Sequence, residues 1–498
     1  MSINRAAAAM SRVGAVAAAI GACAALLAGC GENAGHARRV ALAECRLPKY
    51  AQPVQCGTLS VPEDRTKPDG RRIELFIAVL SANTLSPRPD PLVIIAGGPG
   101  QAASTLAPFA RSLSEIRRTR DIVLVDQRGT GRSAALGCKA FTPDDRAEFE
   151  LDPLPKARAC LAELASRGVD PAQYTTSAWV ADLEDVRDAM AYPTLNLWGG
   201  SYGSRVALEY LRRHPERVRS VVLDGVAPPA MRITLDIWTA RDAAFDALVA
   251  ACRASPACAS AFPDPAATLD AIATDLAGGK AISGSDPRTG AKVTTTLTFP
   301  QVIAALQALL YAPELASLVP ELLDLARKGD YEPLAAAALA LTADVSEQMN
   351  AALHYSVTCA EDAPRVDRAA AAQALAGRRS RALAESVLSV CDVWPRGTMP
   401  ADFGDAVASD VPALVLSGGL DPVTPPAFGA AVAKTLSHSR HVVAAGYGHI
   451  VSPHACGPRL VAAFVDAAGF DKLPAGCIAF LESSRRPPFF TDRLAARP

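Results

Sequence analysis

Two rhythms of apolar and polar positions divide this chain. Short, mostly apolar runs at 91–96, 121–126, 195–200, 218–223, 411–416 and 441–445 end in glycine, proline or acidic residues. Runs of that length without alternation predict strands buried on both faces of a sheet. Between them lie helical patterns, with Leu183, Val186 and Met190 sharing one face of 181–191, and Val206, Tyr210 and Leu211 one face of 205–213. Ahead of them, 56–62 and 73–79 read as strands around Lys67-Pro68-Asp69-Gly70, an antiparallel entry to the sheet. Alternating strands and helices imply a doubly wound, mostly parallel sheet, whose ligands bind at the carboxyl ends of the strands. From about 228 to 408 the rhythm changes to Ala/Leu-rich helical segments such as 267–276, 300–310 and 315–326. The chain therefore divides into a first core part at 44–227, an inserted helical cap at 228–408 and a second core part at 409–498.

The amino end changes the expected compartment. Arg5 and Arg12 precede an apolar run at 13–27 that is too short for a confident membrane span and reads as a secretion signal. It ends in Leu27-Ala28-Gly29-Cys30, which resembles a bacterial lipobox. The expectation is a signal peptide at 1–29, lipidation of Cys30 and a polar tether over 30–43, with the membrane as partner through the lipid. Of 12 cysteines, ten remain after Cys23 and Cys30 are set aside. Nearest-neighbour pairing joins Cys45 to Cys56, Cys138 to Cys160, Cys252 to Cys258, Cys359 to Cys391 and Cys456 to Cys477, although spacing alone does not fix connectivity. No C-x-x-C pair or H-E-x-x-H occurs, so no metal site is expected. A formal charge of -1 without a Lys/Arg run sets nucleic-acid binding aside. Gly129-x-Gly131-x-x-Ala134 invites a dinucleotide reading, but its turn is too long and no acidic residue closes a strand about 20 positions on. No cofactor is expected.

The chemistry centres on Gly199-Gly200-Ser201-Tyr202-Gly203, a G-x-S-x-G between a predicted strand and a predicted helix. That context makes Ser201 a nucleophile exposed on a sharp turn. A serine hydroxyl needs a histidine base, and the base needs a carboxylate to orient it. On such an elbow the acid and then the base follow in chain order, each on a loop after a strand. Asp421 follows the strand at 411–416, and His449 follows the last one; Asp224, at the end of 218–223, is a rival acid. His36, His214, His354, His438, His441 and His454 are less well placed. The oxyanion needs two amide donors, assigned to Tyr202 and Gly98, with Gly97 or Gln101 as substitutes for Gly98. Asp126 and Arg128 read as loop braces.

Gly97-Gly98-Pro99-Gly100, Asp126-Gln127-Arg128-Gly129-Thr130-Gly131-Arg132-Ser133, the Ser201 motif, Asp421-Pro422-Val423-Thr424-Pro425 and 446–449 together resemble the prolyl and tripeptidyl aminopeptidases. Thr358-Cys359-Ala360-Glu361-Asp362 and Cys391-Asp392-Val393-Trp394-Pro395 are similar to the tripeptidyl branch. Many prolyl aminopeptidases begin the glycine loop with His, and here it is Ala96, a departure from the proline-specific pattern. The resemblance implies an α/β-hydrolase fold and a serine exopeptidase. Its substrates would be short peptides with a free N-terminus, the amine meeting Glu361 and Asp362. An esterase using the same triad and a non-catalytic envelope binding protein are the competing readings.

Overall fold

Alternate residues of the central strands point into different hydrophobic clusters. Val93, Val123, Leu197 and Val221 lie in one, and Leu92, Ile94, Leu124 and Val222 in the other. Both faces of the sheet are thus sealed, which is why these strands are continuously apolar. The computed structural model describes residues 40–141, 152–286 and 289–491, with the side chains of 341–348 excepted. The expected signal, Cys30 and most of the tether lie outside the described residues.

The strands are β1 (Ala43–Leu47), β2 (Tyr50–Pro62), β3 (Arg72–Leu80), β4 (Leu92–Ile95), β5 (Ile122–Val125), β6 (Leu195–Gly200), β7 (Val218–Asp224), β8 (Lys280–Ser285), β9 (Lys292–Leu297), β10 (Ala413–Gly418) and β11 (Ser439–Ala444). Nine form one sheet in the order β1-β2-β3-β5-β4-β6-β7-β10-β11. The β1, β2, β3 and β5 pairings are antiparallel, and those from β5 through β4, β6, β7 and β10 to β11 are parallel. The antiparallel entry and the parallel core agree with the sequence pattern. β1 was not foreseen; it falls at the end of the polar stretch and is mostly exposed, so it carries little apolar signal.

Helix α1 (Thr176–Ala189) precedes β6, and α2 (Tyr202–Arg213) follows it. The N-cap of α1 is Thr175, whose side chain accepts from the Ala178 amide. That cap starts the helix five residues before the apolar face suggests.

β7 and β10 are sheet neighbours, Val221 lying opposite Ala413, so everything between them is an excursion from the sheet. It includes α3 (Ile233–Ala254), α4 (Phe299–Leu310) and α5 (Ala351–Glu361). Trp238, Phe245, Val302, Leu306 and Leu323 belong to a separate hydrophobic cluster made of cap residues and Phe489 from the carboxyl-terminal part. Helix α5 differs, because Leu353, Val357 and Cys359 join the core cluster and pin the cap to it. The cap also holds the hairpin β8-β9, whose half-exposed, Ser/Thr-rich strands bury too little apolar surface to show in the pattern. All five nearest-neighbour cysteine pairs are disulfides.

Candidate active site

Ser201 joins β6 to α2 with φ 56° and ψ -127°, a strained conformation for a residue with a Cβ. The strain is held from two sides. The Ser201 amide donates to the Asp224 carbonyl at 2.9 Å, and its own carbonyl accepts from the Ser204 amide at 2.9 Å and the Ser204 hydroxyl at 2.6 Å. Close packing permits the turn: a Cβ on Gly203 would stand 2.3 Å from the Ile95 carbonyl oxygen, so only glycine lets α2 approach β4 there.

Two loops bring the acid and base to the same end of the sheet. Asp421 Oδ2 meets His449 Nδ1 at 2.8 Å, and Oδ1 accepts the Val423 and Thr424 amides at 2.8 and 2.9 Å. Thr424 Oγ1 donates to Asp421 Oδ2 at 2.8 Å. Burial works against the Asp421 charge, but the His449 imidazole and these amides outweigh it and hold its pKa below the usual carboxylate range. A carboxylate at Nδ1 leaves Nε2 as the basic nitrogen. The imidazole lies over Gly225, where an added Cβ would be 3.0 Å from Cε1. Ser201 hangs from the preceding residue, Asp224. Among the described residues Ser201 Oγ makes no hydrogen bond, so the serine–histidine contact is not closed in this conformation; such contacts often tighten only with substrate.

Asp224 has a different task. Its carboxylate oxygens accept the Val451 and Ser452 amides at 2.8 and 2.7 Å, fixing the loop just after His449. Burial raises its pKa despite these bonds. Asp224 therefore holds both the nucleophile, through its carbonyl, and the base loop, through its side chain.

The glycine loop after β4 borders the elbow, since a Cβ on Gly97 would lie 3.1 Å from Ser201 Cβ. Gly98 has φ 114°, a conformation that favours glycine. Tyr202 begins α2, so its amide has no acceptor within the helix and lies at the positive end of the helix dipole. The geometry thus sets Gly97–Gly98 and the Tyr202 amide around Ser201. Gln101 instead bridges to Met349 of the cap. Asp126 and Arg128 are braces: Asp126 accepts the Ser104 and Arg132 amides at 2.8 and 3.0 Å, and Arg128 holds Asp182 with two 2.6 Å bonds.

Residues 90–453 match the family model described as alpha/beta hydrolase fold. The chain belongs to this family. Among similar proteins, Serine protease Hip1 of Mycobacterium tuberculosis is 27% identical over 424 residues, covering 77% of this hydrolase and 79% of its own chain. Tripeptidyl aminopeptidase of Streptomyces coelicolor is 31% identical over 209 residues, 38% of this hydrolase and 37% of its own chain. Proline iminopeptidase of Neisseria meningitidis is 32% identical over 143 residues, 28% and 34% of the two chains. These likenesses support a hydrolase with relatives among serine proteases and aminopeptidases.

The hydrolase buries both carboxylates assigned to the substrate amine. Glu361 accepts the Thr176 amide at 2.7 Å and its hydroxyl at 2.9 Å, and Thr176 Oγ1 lies 2.7 Å from the Tyr202 hydroxyl. Asp362 Oδ1 receives Arg205 and Arg365, each at 2.9 Å, while Oδ2 is buried and has no hydrogen-bond partner among the described residues. Burial lifts the Glu361 pKa to about 7. Glu361 therefore stands behind Tyr202, and the two acids tie the cap to α1 and α2.

Three neighbours of the site escaped the sequence reading. Thr424 carried a usable signal, because a threonine three residues after an aspartate commonly closes a local turn. Tyr311 and Met349 carried none. The Tyr311 carbonyl accepts the His449 amide at 3.2 Å and its ring meets the imidazole edge-on at 5.3 Å, while Met349 reaches over Gly98 from the cap.

Proposed function

We propose that this hydrolase is an exported, lipid-anchored serine peptidase that releases short pieces from the free N-terminus of peptides. The observation that carries the reading is the 2.8 Å Asp421–His449 pair beside a strained Ser201 on the elbow. In the first step Ser201 Oγ attacks the scissile carbonyl carbon and its proton passes to His449 Nε2. The developing oxyanion takes hydrogen bonds from the Tyr202 amide and the Gly98 loop. The carbon–nitrogen bond then breaks, the His449 proton goes to the leaving amine, and water, activated by the same imidazole, releases the acyl group from Ser201.

The names of the similar proteins support peptides over simple esters. A cap laid over the glycine loop supports short substrates, since Asn350 donates its amide to the Gly100 carbonyl at 2.9 Å. Asp362, through the unpartnered Oδ2, and Glu361 beside it are the carboxylates proposed to hold the amine. The anchor rests on Leu27-Ala28-Gly29-Cys30, and intact mass of the mature protein tests it: an N-terminus elsewhere, or an unlipidated Cys30, refutes it.

Short peptides offered with free and with acetylated amino termini test the activity. Cleavage only of the free forms, reduced by Asp362→Asn, is the expected result. Equal cleavage of both, or hydrolysis confined to acyl esters, would replace exopeptidase action while leaving the triad standing.

A further inference from the structure

Arg241, on α3 in the cap, is partly buried and has no carboxylate within ion-pair distance among the described residues. Nearby cap cations are matched: Arg232 with Asp236 at 2.6 Å, and Arg365 with Asp362 at 2.9 Å. Arg241 instead donates to two neutral oxygens, Gln307 Oε1 at 2.9 Å and the Tyr311 hydroxyl at 3.0 Å. Its guanidinium also lies 5.1 Å from the Trp238 ring centroid and 5.8 Å from that of Tyr311. Arg241 Nε and Gln307 Nε2 are both buried donors without an acceptor among the described residues. A positive charge with unused donors beside it is costly unless an anion completes the group.

The location connects this charge to the reaction centre on two sides. Tyr311, which takes the Arg241 bond, also takes the His449 amide and packs against the imidazole. His354, whose Nδ1 lies 3.4 Å from the Pro99 carbonyl of the glycine loop, has a pKa lowered by burial first and by the Arg241 charge in addition. Arg241 therefore stands beside the base loop through Tyr311, and its charge is felt at His354 against the oxyanion loop.

We propose that Arg241, assisted by Gln307, binds a carboxylate of the substrate and sets a preference for short peptides carrying one close to the scissile bond. The carboxylate is either the C-terminus of a short leaving segment or an acidic side chain, and a guanidinium suits both. The proposal rests on the peptidase reading for the nature of the substrate, not for its charge.

The test measures kcat/KM of wild type, Arg241→Gln and Arg241→Lys on two matched pairs: an alanine tetrapeptide as acid and as C-terminal amide, and amidated peptides differing only by Asp or Asn. The wild type prefers the carboxylate in one pair by about tenfold or more, the scale of one charge-assisted hydrogen bond. The pair that shows it identifies the source. Arg241→Gln brings that ratio to about one, chiefly through KM, and Arg241→Lys keeps part of it. If Arg241 merely tethers Tyr311 over His449, the variants depress all four substrates in proportion and the ratio stands, which overturns the proposal. Absence of a wild-type preference overturns it as well. Should none of the peptides be cleaved while Ser201 still reacts with a fluorophosphonate, the peptidase reading fails. The same ratio is then taken between a p-nitrophenyl ester bearing a free carboxylate and p-nitrophenyl butyrate, and decides Arg241 by the same criterion.

Discussion

Asp224 and Asp421 invite confusion in the sequence and part ways in the fold. Each follows a buried strand, each is buried, and each accepts two backbone amides. The difference lies in how the oxygens are shared. Asp421 takes both amides on Oδ1 and keeps Oδ2 for His449 and Thr424, whereas Asp224 turns one oxygen to each amide of the loop after His449 and, among the described residues, neither to the imidazole. Their pKa values move in opposite directions, down for Asp421 beside the imidazole and up for Asp224, where burial prevails. A carboxylate becomes the acid of a triad by reserving an oxygen, and its place after a strand does not ensure that.

The largest effect should come from Asp421→Asn. The amide no longer fixes the imidazole tautomer, and kcat should fall about 10⁴-fold with the circular dichroism spectrum unchanged. A loss below tenfold would break the comparison.

Asp224→Asn sharpens it. The substitution carries a cost in stability, because an asparagine offers one oxygen where two amides wait. Urea unfolding should report a loss of about 1–3 kcal/mol, with a kcat decrease far smaller than that of Asp421→Asn.

Glu361 gives a third contrast, a buried acid whose charge the fold resists. Its folded-state pKa of about 7 lies above the unfolded value of 4.5, so between the two the native chain holds a proton the unfolded chain releases. Its contribution is present below pH 4.5 and is lost as pH rises through about 7. Denaturation from pH 4.5 to 7 should show that decline in the wild type, and Glu361→Gln should flatten it.

Thr424→Val should do least. It removes the hydroxyl bond to Asp421 Oδ2 but leaves both amides in place, so kcat should drop only several-fold, about 1 kcal/mol of transition-state stabilisation.

These cases mark how far the sequence was readable. Core strands were legible because burial on both faces forces continuous apolar runs, and Ser201, Asp421 and His449 because each closes such a run. Hairpin β8-β9 and strand β1 were not, since exposed strands lack that pattern. Glu361 and Asp362 could be picked out as cap acids, yet their burial against Thr176 and Arg205 joins residues more than 100 positions apart. Tyr311 over His449 is likewise a product of the cap's docking, and Arg241 over Tyr311 of packing between cap residues 70 positions apart, neither of which a local pattern encodes.

The central claim is that Ser201 is activated by His449 held by Asp421. Intact-mass kinetics of fluorophosphonate labelling test it most directly, on wild type, Ser201→Ala, Asp421→Asn and Asp224→Asn. The account predicts one adduct in the wild type, none in Ser201→Ala, a collapsed rate in Asp421→Asn and a largely retained rate in folded Asp224→Asn. Labelling that survives Ser201→Ala, or that slows as much in folded Asp224→Asn as in Asp421→Asn, would contradict it.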